Sequence, residues 1–475
     1  MLRVDLGERD LGLGLPAGIQ RGDKSKYCDG VSRRSFLQVG MAGMGSLGVA
    51  DLLRAADTTR AAKKTSKKDT SVILIWLDGG PSHIDTYDMK PDAPSEYRGI
   101  WNPIATNVPG VEVTELFPLQ AKRADKYSVI RSMHHDNGDH FAGGHWMLTG
   151  KGGASGGDTP GKHPFFGAAA TKITGARKPG MPAHVGVPYG MSIGIRPGYF
   201  GGSYLGKEFD PFETGGDPNA KKFAVQNLDK LPTLDITRLQ ERRGLLDSFD
   251  KMRRKIDGGG ALMAADKFQV QAYELVTGAR AIEAFDISKE DDKTRDKYGR
   301  FSWGQSALLA RRLVEAGTTF VSIHCGGWDH HWDLAAGYQR YLPQVDQMVA
   351  ALLDDLTDRG LMDTTMVLLC GEFGRTPKMN DGGNGGPPRS QGTPGRDHWG
   401  NALSVMIAGG GVKGGRLIGT TDSRGERPKD NPLRPGDLHA TVFEHLGVDP
   451  TISFPDFRGR PTYVIEEGKR IDSLY

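Results

Sequence analysis

Cysteine is scarce: Cys28, Cys325 and Cys370 are the three in 475 residues. None forms a Cys-x-x-Cys pair, so no metal site of that pattern exists, and a disulfide framework is not indicated. Cys28 falls in a segment read below as an export signal. The other two read as ends of buried strands. Long apolar runs are also missing. No stretch is apolar for the ~20 residues that a membrane-spanning helix needs. Net charge is nearly absent, at +3 from 61 basic and 58 acidic residues. Residues 1–70 hold 13 basic and 8 acidic residues, leaving 48 and 50 for the remainder. The slight basicity therefore belongs to the N-terminal segment, and no nucleic-acid partner is indicated. Hydrophobic residues make up 37% of the chain, which supplies a sizeable core and excludes a disordered chain. Glycine is abundant, with 67 residues and no collagen-like period, and this implies many turns and loops.

The first 70 residues read as an address. Ser32-Arg33-Arg34-Ser35-Phe36-Leu37-Gln38 precedes a mild Gly/Ala-rich apolar stretch from Val39 to Leu53. A twin arginine with a Phe two residues on and a modest apolar region has the form of a twin-arginine (Tat) export signal. Residues 1–56 are assigned to this signal and 57–70 to a solvated linker. The Tat machinery is then a partner, and the expected destination is periplasmic or extracellular. That route carries folded proteins, often with a metal or cofactor already inserted.

From residue 71 the pattern alternates. Ser71–Leu77 is a continuous apolar run ending in Asp78-Gly79-Gly80-Pro81-Ser82, which reads as a central parallel strand. Helix Ser306–Gly317 feeds strand Thr319–His324, and the long amphipathic helix Tyr338–Arg359 feeds strand Thr365–Cys370. Ala402–Ala408 is a further buried strand and Asp437–Leu446 a late helix. Alternation of this kind predicts a doubly wound α/β sheet with helices on both faces. Residues 218–300 show helical periodicity in Leu239–Lys255 and Lys267–Phe285, and are assigned to a helical insertion. Residues 380–396 are rich in Gly and Pro and read as a loop.

Acids and histidines collect at predicted strand ends, where ligands bind in open α/β sheets. Asp78, Ser82, His83 and Asp85 follow the first strand. His134, His135, Asp136, Asp139, His140 and His145 form a second group. Trp328-Asp329-His330-His331 follows the strand 319–324, with His330 expected to face away from its neighbours. Glu372 and Arg375 follow the strand 365–370, and Asp397-His398 precede the strand 402–408. Eight of the 13 histidines lie in these groups. Imidazole with carboxylate is the ligand set of Zn²⁺, Mn²⁺ or Fe, with Mg²⁺ or Ca²⁺ less suited. Asp78, Asp329, His331, Glu372 and His398 are the candidate ligands for one or two ions. Such ions polarise phosphoryl or sulfuryl oxygens and activate water. Each group also has a structural reading: helix cap for Asp78, hydrogen-bonded loop for 134–145, surface arginine for Arg375.

Together these motifs resemble the domain-of-unknown-function family fifteen-oh-one, a sulfatase-like group that looks related to the alkaline phosphatase and sulfatase superfamily. The motifs are Leu77-Asp78-Gly79-Gly80-Pro81-Ser82-His83, His140-Phe-Ala-Gly-Gly-His145 with Leu148-Thr149-Gly150, Gly326-Gly327-Trp328-Asp329-His330-His331, Gly371-Glu372-Phe373-Gly374-Arg375-Thr376-Pro377 and Asp397-His398-Trp399. They span roughly residues 70–450. The resemblance implies an alkaline-phosphatase-like, mostly parallel sheet over residues 71–475, with metals at the strand C-termini. It implies Asp78 as the first metal aspartate, Asp329 and His331 as an aspartate–histidine pair, and His398 as the final histidine ligand. Glu372 stands where sulfatases carry the Asp of Asp-His-Gly. The chain departs from that pattern twice. Phe373 replaces the histidine of Asp-His-Gly, and His140 stands where a sulfatase nucleophile would be. No Cys-x-Pro-x-Arg motif exists.

The expected activity is exported, metal-dependent hydrolysis of a phosphate or sulfate ester, the ester being a small molecule or glycan. His140 and His145 are the candidates for proton transfer or charge stabilisation, Arg375 for holding the anion, and Ser82 for a weaker nucleophile. His140 remains open as ligand, acid/base or phosphoryl acceptor. The alternatives are a non-catalytic binding or assembly protein on a degenerate hydrolase fold, and an oxidoreductase using non-haem iron.

Overall fold

The structure is a computed structural model describing residues 69–153, 161–225, 278–382 and 391–475. The segment read as an export signal, most of the predicted linker and the predicted helix Leu239–Lys255 lie outside the described residues. So does residue span 226–277 of the helical insertion. The remainder of that insertion includes two short helices, Ala279–Phe285 and Asp292–Tyr298. Of the Gly/Pro-rich loop, residues 383–390 lie outside. Among the described residues no helix is long and apolar enough to cross a membrane.

The elements that position the site are, in chain order, β1 (Ser71–Asp78), β2 (Tyr127–Met133), α1 (His140–Thr149), α2 (Phe166–Thr174), β3 (His184–Val187) and β4 (Phe212–Glu213). They continue with α3 (Ser302–Ala316), β5 (Phe320–Gly326), α4 (Leu334–Asp358) and β6 (Thr365–Cys370). Last come β7 (Gly374–Arg375), β8 (His398–Trp399), β9 (Leu403–Ala408), β10 (Leu417–Ile418) and α5 (Pro435–His445). Eight strands form one sheet in the order β10-β2-β9-β6-β1-β5-β3-β4.

β1 shows why the apolar run reads as a central strand. Its side chains alternate between two separate cores. Ile73, Ile75 and Leu77 join the helices α3 and α4 in one core. Val72, Leu74 and Trp76 join α1, α2 and α5 in the other. Both faces of the strand are thus buried, as a parallel sheet covered by helices requires. The strand is flanked in parallel by β5, with Asp78 opposite Gly326, and by β6, with Trp76 opposite Cys370. Cys325 and Cys370 sit buried and free near the ends of β5 and β6.

The sheet is the expected doubly wound, mostly parallel one, with one reversal not foreseen in the sequence. β9 pairs antiparallel with both β2 and β6. Its first residue, Leu403, lies opposite Met133 at the end of β2, and its last, Ala408, opposite Val367 near the start of β6. The residues that precede β9 therefore arrive at the same edge as those that follow β2, β5 and β6. Strands β2 and β3 were also not anticipated. β3 has only four residues, and β2 carries Arg131 and three other polar or aromatic positions among its seven residues, which breaks the continuous apolar run that marks β1.

Candidate metal centre

That shared edge gathers four segments. His140 is the first residue of α1, placed there by two stops. Asp139 caps the helix by accepting from the Ala142 N–H, and Gly150 ends it in the left-handed region at φ +71°. Asp329 and His331 follow β5 after Gly326-Gly327. His398 opens β8, which pairs antiparallel with β7 so that His398 stands opposite Arg375. The approach is tight. A Cβ on Gly79 (φ +115°) would fall 2.7 Å from the Asp329 backbone nitrogen, so only glycine fits behind the centre.

The Asp329 carboxylate is the focus. Its Oδ1 lies 3.0 Å from His398 Nε2, 3.1 Å from His331 Nε2 and 2.6 Å from Arg375 Nη2. Its Oδ2 lies 3.2 Å from His140 Nε2. Each imidazole is held from behind by its other nitrogen. His140 Nδ1 meets Glu372 Oε1 at 2.7 Å, His331 Nδ1 meets Asp397 Oδ1 at 2.6 Å, and His398 Nδ1 meets the Gly138 carbonyl at 2.7 Å. These acceptors hold N–H at Nδ1, so each Nε2 faces the Asp329 carboxylate, where it donates a proton when the ring is charged and offers a lone pair to a cation when it is neutral. His331 Nε2 and His398 Nε2 face one another at 2.9 Å. Two lone pairs at that distance repel unless a proton or a cation lies between them. Three imidazole nitrogens and one carboxylate are the donor set of Zn²⁺ or Mn²⁺, and the residues fit such an ion. Asp329 remains 44% exposed, so the centre is open on one side, as a catalytic rather than a closed structural site would be.

The electrostatics follow from this packing. Burial opposes a charge on Asp329, but the three imidazoles and the Arg375 guanidinium outweigh it and hold the carboxyl well below the usual carboxylate range. Burial likewise opposes a charge on His140, yet its bonds to Asp329 and Glu372 lift it to about 9. The bond to Asp329 also raises His331. Glu372, fully buried, is pushed up by burial.

Of the residues singled out in the sequence, Asp329, His331, His398 and His140 are brought together. Five others are placed differently. Glu372 spends its carboxylate on the Gly79 N–H and on His140, so it supports the ring rather than facing the centre. Asp78 accepts from Trp76 Nε1, the Ile193 N–H and His324 Nε2. The ligand atoms that lie within 4.8 Å of one another are those of His140, Asp329 and His398; Asp78 is outside that group, and His331 joins it through Asp329 and His398. Arg375 is fully buried and binds the carbonyls of Gly79, Gly80 and Arg396 as well as Asp329. It anchors Asp329 and has no face left for an anion. Ser82 is buried, its hydroxyl donating to Asp85 at 2.5 Å inside the turn after β1. His145 is buried on the far side of α1, with Nδ1 on the Lys151 carbonyl and its ring against Tyr199. One turn and a half of helix separates it from His140, and that rotation carries it off the site. His330 packs on Tyr338 and Tyr341, away from the centre.

Two participants were not weighed as such in the sequence. Asp397 was visible only as the neighbour of His398. His324 carries no local signal, because it is one residue within a buried strand that happens to face Asp78.

The family described as "Protein of unknown function (DUF1501)" matches residues 69–475. The chain belongs to this family. No curated protein matches it. Among solved structures, this DUF1501 chain is similar to the PsFucS1 sulfatase from Pseudoalteromonas sp., at 15% identity over 83% of this chain and 70% of that one, with TM-score 0.37. It is similar to the lipoteichoic acid synthase LtaP from Listeria monocytogenes, at 9% identity over 81% and 74%, TM-score 0.36. It is also similar to the phosphonate monoester hydrolase SpPMH from Silicibacter pomeroyi, at 11% identity over 85% and 76%, TM-score 0.33.

Proposed function

We propose that this DUF1501 protein is an exported, metal-dependent hydrolase of phosphate or sulfate esters, acting on a small molecule or a glycan. One observation supports it above the rest. Three imidazole Nε2 atoms converge on one half-open carboxylate at the ligand-binding edge of an α/β sheet. His140, Asp329, His331 and His398 would hold the ion. When bound, it supplies Lewis-acid polarisation of a phosphoryl or sulfuryl oxygen. The chain's own part is preorganisation. Arg375 fixes Asp329 from behind. Glu372, Asp397 and the Gly138 carbonyl hold the tautomers of the three histidines, so no ring has to rotate when substrate arrives. Ser82 is tied to Asp85 and His140 is placed as a ligand, so water would make the attack. Export rests on the twin-arginine segment of residues 32–38.

The saturation of Arg375 favours a second reading, that of a metal-holding binding protein with no anion clamp. Elemental analysis of the purified protein beside Asp329→Ala, followed by an aryl phosphate and aryl sulfate panel, separates the two. The hydrolase reading expects bound metal and ester hydrolysis, both lost in Asp329→Ala, with the rate falling on the order of a hundredfold or more. Undiminished hydrolysis in that variant sinks it. Bound metal without hydrolysis of any ester leaves the binding protein.

A further inference from the structure

Beside the Asp329 centre lies a second set of ligand-type side chains: Asp78, His324 and Glu372. The two sets touch through Glu372, which bonds His140. Their states differ. The carboxylates of the second set are already supplied with protein donors. Asp78 accepts from Trp76 Nε1, the Ile193 N–H and His324, and Glu372 accepts from the Gly79 N–H and His140. A cation there would have to displace N–H groups that are buried and would then lack partners, so these carboxylates make a second site only if a further donor stands beside them.

The residue after Glu372 is Phe373, which is fully buried. Its ring packs 5.0 Å from the His140 ring and 4.6 Å from the His398 ring, centroid to centroid. Two glycines make room for it. A Cβ on Gly80 would fall 2.5 Å from the Phe373 ring, and one on Gly143 would fall 3.0 Å from it. The position that touches both histidines and follows Glu372 in the chain thus presents carbon alone.

We infer that the Asp329 centre takes a single divalent cation, and that Phe373 sets this number by filling with an apolar ring the place from which a donor would complete a second site with Asp78 and Glu372. This rests on the metal-centre reading above. Metal without a second ion beside it leaves the exposed Asp329 side as the single place for substrate to meet a Lewis acid.

The test is metal stoichiometry, which does not depend on knowing the substrate. Metal-free protein is titrated with Mn²⁺ by calorimetry, with electron paramagnetic resonance on the loaded form. Wild type should take one equivalent and give an uncoupled six-line signal. Phe373→His should take two and show exchange-coupled Mn²⁺, while Phe373→Leu should stay at one. Two equivalents in wild type overturn the inference. So does one equivalent in folded Phe373→His, which removes the role of Phe373. If Phe373→His does not fold, Asp78→Asn decides: one equivalent at unchanged affinity is expected, and loss of the ion shows Asp78 to be a ligand and overturns the inference. Zero equivalents in wild type overturn the metal-centre reading itself, a distinct result.

Discussion

Two charged regions of this molecule solve opposite problems. Between α3 and α4, Arg311 is 1% exposed and pairs with Glu290 at 2.8 Å, Glu315 at 2.8 Å and Asp355 at 2.7 Å, while Arg359 and Arg312 reach the same carboxylates. There every buried charge meets its opposite within the chain. At the sheet edge, Asp329 faces three imidazoles, two of which meet Nε2 to Nε2 at 2.9 Å. The first region is closed by protein groups alone. The second gathers donors that a cation would suit. The contrast teaches that a buried cluster of charge is not by itself a site. What distinguishes a site is that the donors converge and the chain supplies nothing to separate them.

Breaking the closed region should have the largest effect on stability and none on metal. Arg311→Met removes the buried guanidinium shared by Glu290, Glu315 and Asp355 and leaves only Arg312 and Arg359 beside them, and urea unfolding should register a loss of about 3 kcal/mol with metal content unchanged. A smaller loss accompanied by metal release would erase the distinction. The open region should respond to chelation instead. With free metal at about a thousandfold over Kd, removing it should lower stability by about 4 kcal/mol, recovered on reloading. Melting of the chelated and loaded forms at the same temperature would count against an ion there.

Asp397→Asn sharpens the comparison further. It releases the Nδ1–H of His331 from a carboxylate and should weaken metal binding about 10–100-fold, by calorimetry, without altering the melt of the metal-free protein. The smallest effect concerns a carboxylate with neither cation nor metal. Asp346, pushed up to about 6 by burial, accepts only from the Leu119 and Gln120 N–H groups and feels Arg123 from a distance. Its folded value lies above its unfolded one. Its contribution is therefore full below about pH 4 and lost as pH rises through 6. Asp346→Asn should flatten that slope in pH-dependent unfolding.

Much of the architecture could be read before the structure was known. β1 announced itself because a strand buried on both faces must be apolar throughout, and β6 matched its expected limits of Thr365–Cys370. The helices came within a turn, as Leu334–Asp358 against an expected Tyr338–Arg359 shows. The direction of β9 was not legible, since apolarity carries no sign. The site was legible in residue type but not in role. Asp329, His331, His398 and His140 belong to motifs whose chemistry is local. The roles of Asp78, Arg375, Ser82 and Glu372 depend on partners such as Ile193, Gly79 and Asp85, which are brought in by the fold. His145 shows the limit plainly: five residues from His140 in sequence, it is turned away by the rotation of the helix.

The reversed strand β9 also matters to the chain as a polymer. By bringing the segment before Leu403 to the edge where β5 ends, it lets His140, Asp329 and His398, separated by 189 and 69 residues, meet at one point. An ion held there would close two long loops at once. Its binding would be lost when either loop opens, so it would favour the folded chain by mass action, not by restricting the unfolded one. In a chain whose two described cysteines are both free, the metal centre would be its one long-range staple.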